Sequence, residues 1–123
     1  MKKLLLGIAA VCLAGFTFAQ DAPLWMRHSV ISPDGTTIAF TYKGDIYTVP
    51  VAGGRAMQIT TNPAYDTAPV WSPDSKRIAF ASDRMGSLDV YIVAKDGGEP
   101  RRLTTHSGSE TPLAFTDAGH VLF

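Results

Sequence analysis

From Arg27 onward, apolar residues come in short runs separated by Gly, Pro, Asn and Asp, and no stretch of about eleven residues repeats them at helical spacing. The pattern therefore predicts strands throughout and an all-β chain. Val30-Ile31 ends a first strand, and Thr37 to Tyr42, Asp45 to Val51 and Arg55 to Thr60 form three more. Ala68 to Trp71, Arg77 to Ser82, Asp89 to Ala94 and Glu99 to Thr104 make a second such set. Turn chemistry lies between them: Lys43-Gly44 and Met85-Gly86-Ser87 after the second strand of each set, and Gly53-Gly54 and Gly97-Gly98 after the third.

The two sets are copies of one unit. Ile31 to Phe40 reads ISPDGTTIAF, Trp71 to Phe80 reads WSPDSKRIAF, and Phe115 to Phe123 reads FTDAGHVLF with one residue fewer. Each holds a bulky apolar residue, a hydroxyl residue, a tight turn and a short apolar strand, which together make a β-hairpin. In the first copy Ser32 can cap the turn, Pro33 presets its first central residue and Gly35 accepts the positive φ that follows; Ser75 stands where that glycine would be. Asp45-Ile46-Tyr47 answers Asp89-Val90-Tyr91, and Ile59-Thr60-Thr61 answers Leu103-Thr104-Thr105. The spacing is 40 residues from Ser32 to Ser72 and 44 from Ser72 to Thr116, with the extra residues between Phe80 and Asp89. Periods of this size signal a solenoid, a propeller or another array.

The middle strands decide among these. Ile78-Ala79-Phe80-Ala81 and Val90-Tyr91-Ile92-Val93 are apolar on both faces, so each small sheet must be covered on both sides. Radially stacked four-stranded blades meet that demand. The fourth strand, with Arg55, Gln58, Pro100, Arg101 and Arg102, suits an exposed outer edge. The expected fold is a β-propeller of four-stranded antiparallel blades, with units at about 28–67 and 68–111 and a truncated third at 112–123.

At the N-terminus, Lys2-Lys3, the apolar run Leu4 to Phe16 and the small Ala19 form an export signal over residues 1–19, with cleavage expected after Ala19. The apolar run is shorter than the ~20 residues of a spanning helix, so no stable membrane anchor is expected. Cys12 is the only cysteine and would leave with the signal. Residues 20–123 carry nine basic and eleven acidic side chains, a balance that points away from nucleic acid. The sequence ends at Val121-Leu122-Phe123, in what is a strand in both earlier copies, and is expected to be a piece of a larger protein. Trp25 is expected to anchor the lead-in from Asp21 to Arg27.

SPDGTTIAF, SPDSKRIAF with the following SDRMGSLDVYIV, and GGEPRRLTT resemble the repeats of TolB-type propellers, also called WD40-like repeats with a Pro-Asp core. The opening run, PLWMRHSVISPDGTTIAFTYKGDIYTVPVAGG, is similar to the N-terminal propeller of bacterial tricorn-like proteases. That resemblance implies a periplasmic or secreted serine peptidase with propeller domains, a PDZ domain and a C-terminal catalytic domain. Its catalytic residues would lie beyond Phe123, so none is carried over. Two functions follow: a propeller that admits or positions peptides for a catalytic domain outside this chain, or a TolB-like module that binds an envelope protein without catalysis.

The chain's own residues offer little chemistry. His28-Ser29 and His106-Ser107 are neighbours in sequence, and adjacent residues on a strand point to opposite faces, so neither pair builds a nucleophile and base. Asp66, Asp83 and Asp89 lack the alternating ligand pattern of a calcium loop, and no metal or cofactor is expected. Loops after the second and fourth strands share one end of a blade and differ between units, so that end is where function is expected. The candidate binding residues there are Tyr65, Asp66, Asp83, Arg84 and Glu110.

Overall fold

The computed structural model describes residues 25–117 and 119–123; the export signal lies outside the described residues. Strands β1 (Met26–Ile31), β2 (Thr37–Tyr42), β3 (Asp45–Pro50) and β4 (Met57–Gln58) form one antiparallel sheet in sequence order. A second sheet repeats that order with β5 (Asp66–Trp71), β6 (Arg77–Met85), β7 (Ser87–Ala94) and β8 (Arg101–Arg102). Then β9 (Ala114–Phe115) and β10 (Val121–Leu122) pair as a third hairpin. No helix among the described residues is long and apolar enough to cross a membrane.

The repeated turn works as its residues dictate. The Ser32 hydroxyl donates to Asp34 Oδ1 at 2.6 Å and accepts from the Thr37 backbone N–H at 3.0 Å; Ser72 does the same with Asp74 at 2.6 Å and Arg77 at 2.9 Å. The hydroxyls of Ser32 and Ser72 hold the carboxyls of Asp34 and Asp74 below the ordinary range, helped by the backbone N–H of Thr36 and Lys76. Gly35 takes φ 73° and Ser75 φ 58°, so the serine sits in the left-handed conformation that costs a β-carbon about 1 kcal/mol. Its hydroxyl, however, accepts the Asp34 backbone N–H of the neighbouring unit at 3.1 Å. The third copy closes one residue sooner: Thr116 N–H donates to the His120 carbonyl at 2.8 Å, where Ser32 N–H reaches the carbonyl of Thr37.

The inner strands run longer than the apolar pattern suggests. Both shift register at the same place, between Arg27 and Val30 and between Thr67 and Val70, and the bulge residues His28 and Ala68 have φ 52° and 51°. A bulge breaks the alternation that identifies a strand, and it also admits the buried Pro69. The outer strands run shorter. Ile46 N–H donates to the Thr60 hydroxyl at 3.0 Å while its carbonyl takes the N–H of Ile59 at 2.7 Å; Val90 repeats this with Thr104 at 2.9 Å and Leu103 at 2.7 Å. A threonine side chain thus replaces the next rung of each ladder and ends β4 and β8 after two residues. The insertion after Phe80 extends β6 and β7 past a second bulge to the Met85–Ser87 pair, in place of a longer loop.

The core joins the two sheets. Ala39, Ile46, Ile59, Trp71, Ile78, Phe80, Tyr91 and Val93 form one buried cluster. The Trp71 indole N–H donates to the Val30 carbonyl across the junction at 3.1 Å. Its repeat equivalent, Ile31, is 61% exposed where Trp71 is 8%. On the opposite side of the first sheet, Met26, Ile38, Phe40, Tyr47 and Val49 line an open apolar concavity of about 740 Å³ that also takes in His28 and Ser29.

Ser75 separates strain from bonding. Ser75→Ala loses the bond to Asp34 and keeps the strain, at a cost of about 1 kcal/mol, while Ser75→Gly loses the bond but relieves the strain and stays within about 0.5 kcal/mol of the parent. Urea unfolding of the three proteins should rank alanine lowest; equal midpoints for glycine and alanine would contradict it.

Candidate functional site

The Lys43-Gly44 turn, residues 61–65, the β6–β7 tip and residues 107–110 gather at one end of the sheets. Lys43 and Gly44 both have positive φ, 51° and 85°, which suits a two-residue hairpin turn. Gly44 accepts the Asp66 N–H on its carbonyl at 2.7 Å, and Leu88 accepts that of Glu110 at 2.7 Å, so Asp66 and Glu110 hold equivalent places in successive units.

Two of the five candidate residues form a clamp. Tyr65 N–H donates to Asp83 Oδ1 at 2.8 Å, and Asp83 N–H donates back to the Tyr65 carbonyl at 3.3 Å, tying the connection between the sheets to the β6–β7 hairpin. The Tyr65 ring lies against Gly44, where an added β-carbon would stand 3.4 Å from it. Tyr65 and Asp83 are both exposed.

Asp66 and Arg84 point inward. Asp66 is fully buried, and Arg84 Nη2 lies 3.2 Å from both of its oxygens. Arg84 Nε donates to the Ser82 hydroxyl at 2.9 Å, and the guanidinium lies over the Tyr91 ring at 4.4 Å and the Phe80 ring at 5.7 Å. Both residues belong to the second sheet, Asp66 on β5 and Arg84 on β6, so the pair ties these neighbouring strands together at the loop end. Asp45 lies close by: burial, and then the charge of Asp66, push its carboxyl up, against hydrogen bonds from Thr60 and Gln58. In the second unit Arg102 replaces Gln58 and meets the buried Asp89 at 2.8 Å. Glu110 is largely covered and lies 3.4 Å from His106 Nδ1, whose lone pair accepts the Gly108 N–H at 3.0 Å. Among the described residues no three His, Cys, Asp or Glu side chains are placed to hold a metal ion.

A neighbouring group escaped the pattern reading. Trp25, Arg27, Thr41, Lys43 and Tyr65 line a cup of about 280 Å³ beside the Gly44 turn. Trp25 is 68% exposed, so it presents its ring to solvent and does not anchor the lead-in. The Arg27 guanidinium lies 5.9 Å from that ring, and Lys43 Nζ lies 5.3 Å from the Tyr42 ring. The signal available in sequence was a departure from the repeat: unit two has Thr67 and Ala81 where unit one has Arg27 and Thr41.

Removing one partner of the inward pair should be costly. Arg84→Met leaves the Asp66 charge buried and alone, a loss of about 3 kcal/mol, and adding Asp66→Asn should recover at least half of it. Urea unfolding of single and double variants checks this, and a double variant no more stable than Arg84→Met would refute it. Asp45 carries the opposite sign. Its raised pKa means that its contribution to stability is present below 3.8 and lost as pH rises through the folded value. Asp45→Asn should therefore be more stable than the parent at pH 7, with the difference closing on acidification; a constant difference would contradict the assignment.

A family model for the tricorn protease N-terminal beta propeller domain matches residues 23–123. Tricorn protease homolog 1 of Streptomyces coelicolor is 35% identical over 102 residues, covering 82% of this chain and 9% of that protein. The Tol-Pal system protein TolB of Bordetella pertussis is 44% identical over 55 residues, 44% of this chain and 13% of that protein. The crystal structure of the tricorn protease superposes with a TM-score of 0.66 at 23% identity, covering 78% of this chain and 10% of that one, a likeness of fold. The chain thus spans a small part of the length of each of these relatives. Two four-stranded antiparallel sheets built on one repeated turn, and a match that runs from residue 23 to residue 123, place it: the chain belongs to the tricorn protease N-terminal beta-propeller family.

Proposed function

We propose that this chain is propeller sequence of an exported tricorn-like peptidase, and that its blades admit or position peptides for a catalytic domain outside residues 1–123. The family match over residues 23–123 carries this reading. The loop end, with the exposed Tyr65 ring and the Asp83 turn, is the proposed contact surface, while the Asp66–Arg84 pair and the Glu110 backbone N–H on the Leu88 carbonyl hold it in shape. Such a division suits a repeat scaffold, in which strands supply rigidity and end loops meet the ligand. The remaining blades and the catalytic domain are its partners in the same protein. The run Lys2 to Ala19 supports export to the periplasm or beyond.

A second reading is favoured by the stretch shared with TolB: a propeller that binds an envelope protein and catalyses nothing. One experiment separates the two. The protein encoded by the complete reading frame, purified from the cell envelope, is incubated with a mixed peptide library and followed by mass spectrometry. Peptide cleavage that stops after treatment with a serine-reactive phosphonate is the expected result, together with a mature N-terminus at Gln20. Intact peptides throughout would overturn the peptidase reading and leave the binding module.

A further inference from the structure

The chain contains two Asp-Gly bonds, Asp34-Gly35 and Asp96-Gly97, and the fold treats them in opposite ways. Each lies in a tight turn: the Gly35 N–H donates to the Ser32 carbonyl at 2.8 Å and the Gly97 N–H to the Ala94 carbonyl at 2.9 Å, and the two glycines have φ 73° and 94°. The backbones are thus closely alike, and the carboxylates differ. Asp34 Oδ1 accepts from the Ser32 hydroxyl at 2.6 Å, the Thr36 hydroxyl at 2.8 Å and the Thr36 backbone N–H at 3.1 Å. Asp96 is exposed, and its carboxylate takes part in no hydrogen bond or ion pair among the described residues. The turn does not require it: the first unit builds the same connection with Ala52-Gly53-Gly54, where the Gly53 N–H reaches the Pro50 carbonyl at 2.9 Å.

A glycine after an aspartate has no β-carbon to shield its nitrogen, which leaves that nitrogen free to attack the aspartate's own side-chain carboxyl. We propose that Asp96-Gly97 is a site of spontaneous isomerisation to isoaspartate, and that Asp34-Gly35 is protected from the same reaction by its turn. The Gly97 nitrogen attacks Cγ of Asp96 and gives up its proton, and the carboxyl hydroxyl leaves with that proton as water, closing a succinimide ring. A water molecule then adds to the former main-chain carbonyl carbon and the ring opens there, so that the chain runs through Cβ and Cγ while a free carboxylate stays on Cα. One water is lost and one gained, and nothing is oxidised or reduced. In both turns the attacking N–H must leave its carbonyl, so that cost is shared. At Asp34 the three bonds on Oδ1 must break as well, and they favour the charged carboxylate, the form that resists attack. The product carries one more backbone carbon between residues 96 and 97. Gly97 sits beside the Ile59 carbonyl of the first unit, and β8 pairs with β7 through Arg101 and Arg102 alone, so the longer chain loosens that outer strand.

The full-length protein is kept in mildly acidic buffer at body temperature for several weeks, native in one arm and unfolded in guanidinium chloride in the other. Each sample is then digested and mapped by mass spectrometry with electron-transfer fragmentation, which tells isoaspartate from aspartate. In the native arm isoaspartate should accumulate at Asp96 about tenfold faster than at Asp34, because the bonds on the Asp34 carboxylate have no counterpart at Asp96. Unfolding should bring the two rates within about threefold of each other, since both are then Asp-Gly in an open chain. Asp96→Ala should abolish the native signal and keep the unfolding midpoint, as Ala52 fills that place in the first unit. Equal native rates at the two sites, or a preference for Asp96 that persists undiminished in the unfolded arm, would overturn the proposal. Neither result depends on whether the protein cleaves peptides.

Discussion

One serine hydroxyl in each unit carries the fold. Ser72 both donates to the Asp74 carboxylate and accepts from the Arg77 N–H, so the chain reverses within a few residues and delivers β6 against β5 in register. Ser32 does this for β1 and β2. The register then decides which apolar side chains share a face, since a slip of one residue would turn each strand inside out. Burial of Ile78 and Phe80, and of Trp71 just before the turn, follows from that closure.

The contacts between sheets have a different character from those within them. Within a sheet, backbone ladders dominate, and the threonines at 60 and 104 end each ladder at the same rung. Between sheets, single side chains act: the Trp71 indole on the Val30 carbonyl and the Ser75 hydroxyl on the Asp34 N–H. Within the second sheet, Arg84 on β6 meets the buried Asp66 on β5, its geometry held by Ser82 and by the Tyr91 ring. Buried ion pairs of this kind give little net stability and a large penalty when broken, which suits a contact that fixes the end of one strand pair. Tyr65 and Asp83, bonded to each other beside that pair, extend the hold on the loop end.

Unit one and unit two then differ where the fold is indifferent. Gln58 and Arg102 both satisfy the aspartate opposite them, one by an amide and one by a charge. Arg27 and Lys43 have no such reason to be where they are. Both are exposed, and strand pairing does not call for Arg27, since Thr67 stands at its place in the second unit. Divergence between copies inside one chain thus marks the positions that strand pairing leaves free.

The sequence by itself determined the class, the repeat and the turns. Alternation of apolar runs with Gly, Pro and Asp is local chemistry, and the bounds of β2 match the expected Thr37 to Tyr42 for that reason. The apolar faces of Ile78 to Ala81 and Val90 to Val93 likewise implied cover on both sides, and all of these residues are buried. Tertiary structure decided the rest. The bulges at His28 and Ala68 carry β1 and β5 past a break in the alternation, so that pairing with β2 and β6 extends beyond what the pattern shows. The early ends of β4 and β8 depend on a side-chain bond to a residue 14 positions away. Whether an aspartate near a loop meets solvent or a guanidinium was equally hidden: Asp66 and Asp83 look alike in sequence, yet one is buried beneath Arg84 and the other bonds the Tyr65 N–H at the surface. That difference lies in which strand end each residue reaches once two units stack, and stacking is a property of the pair of sheets that neither unit encodes alone.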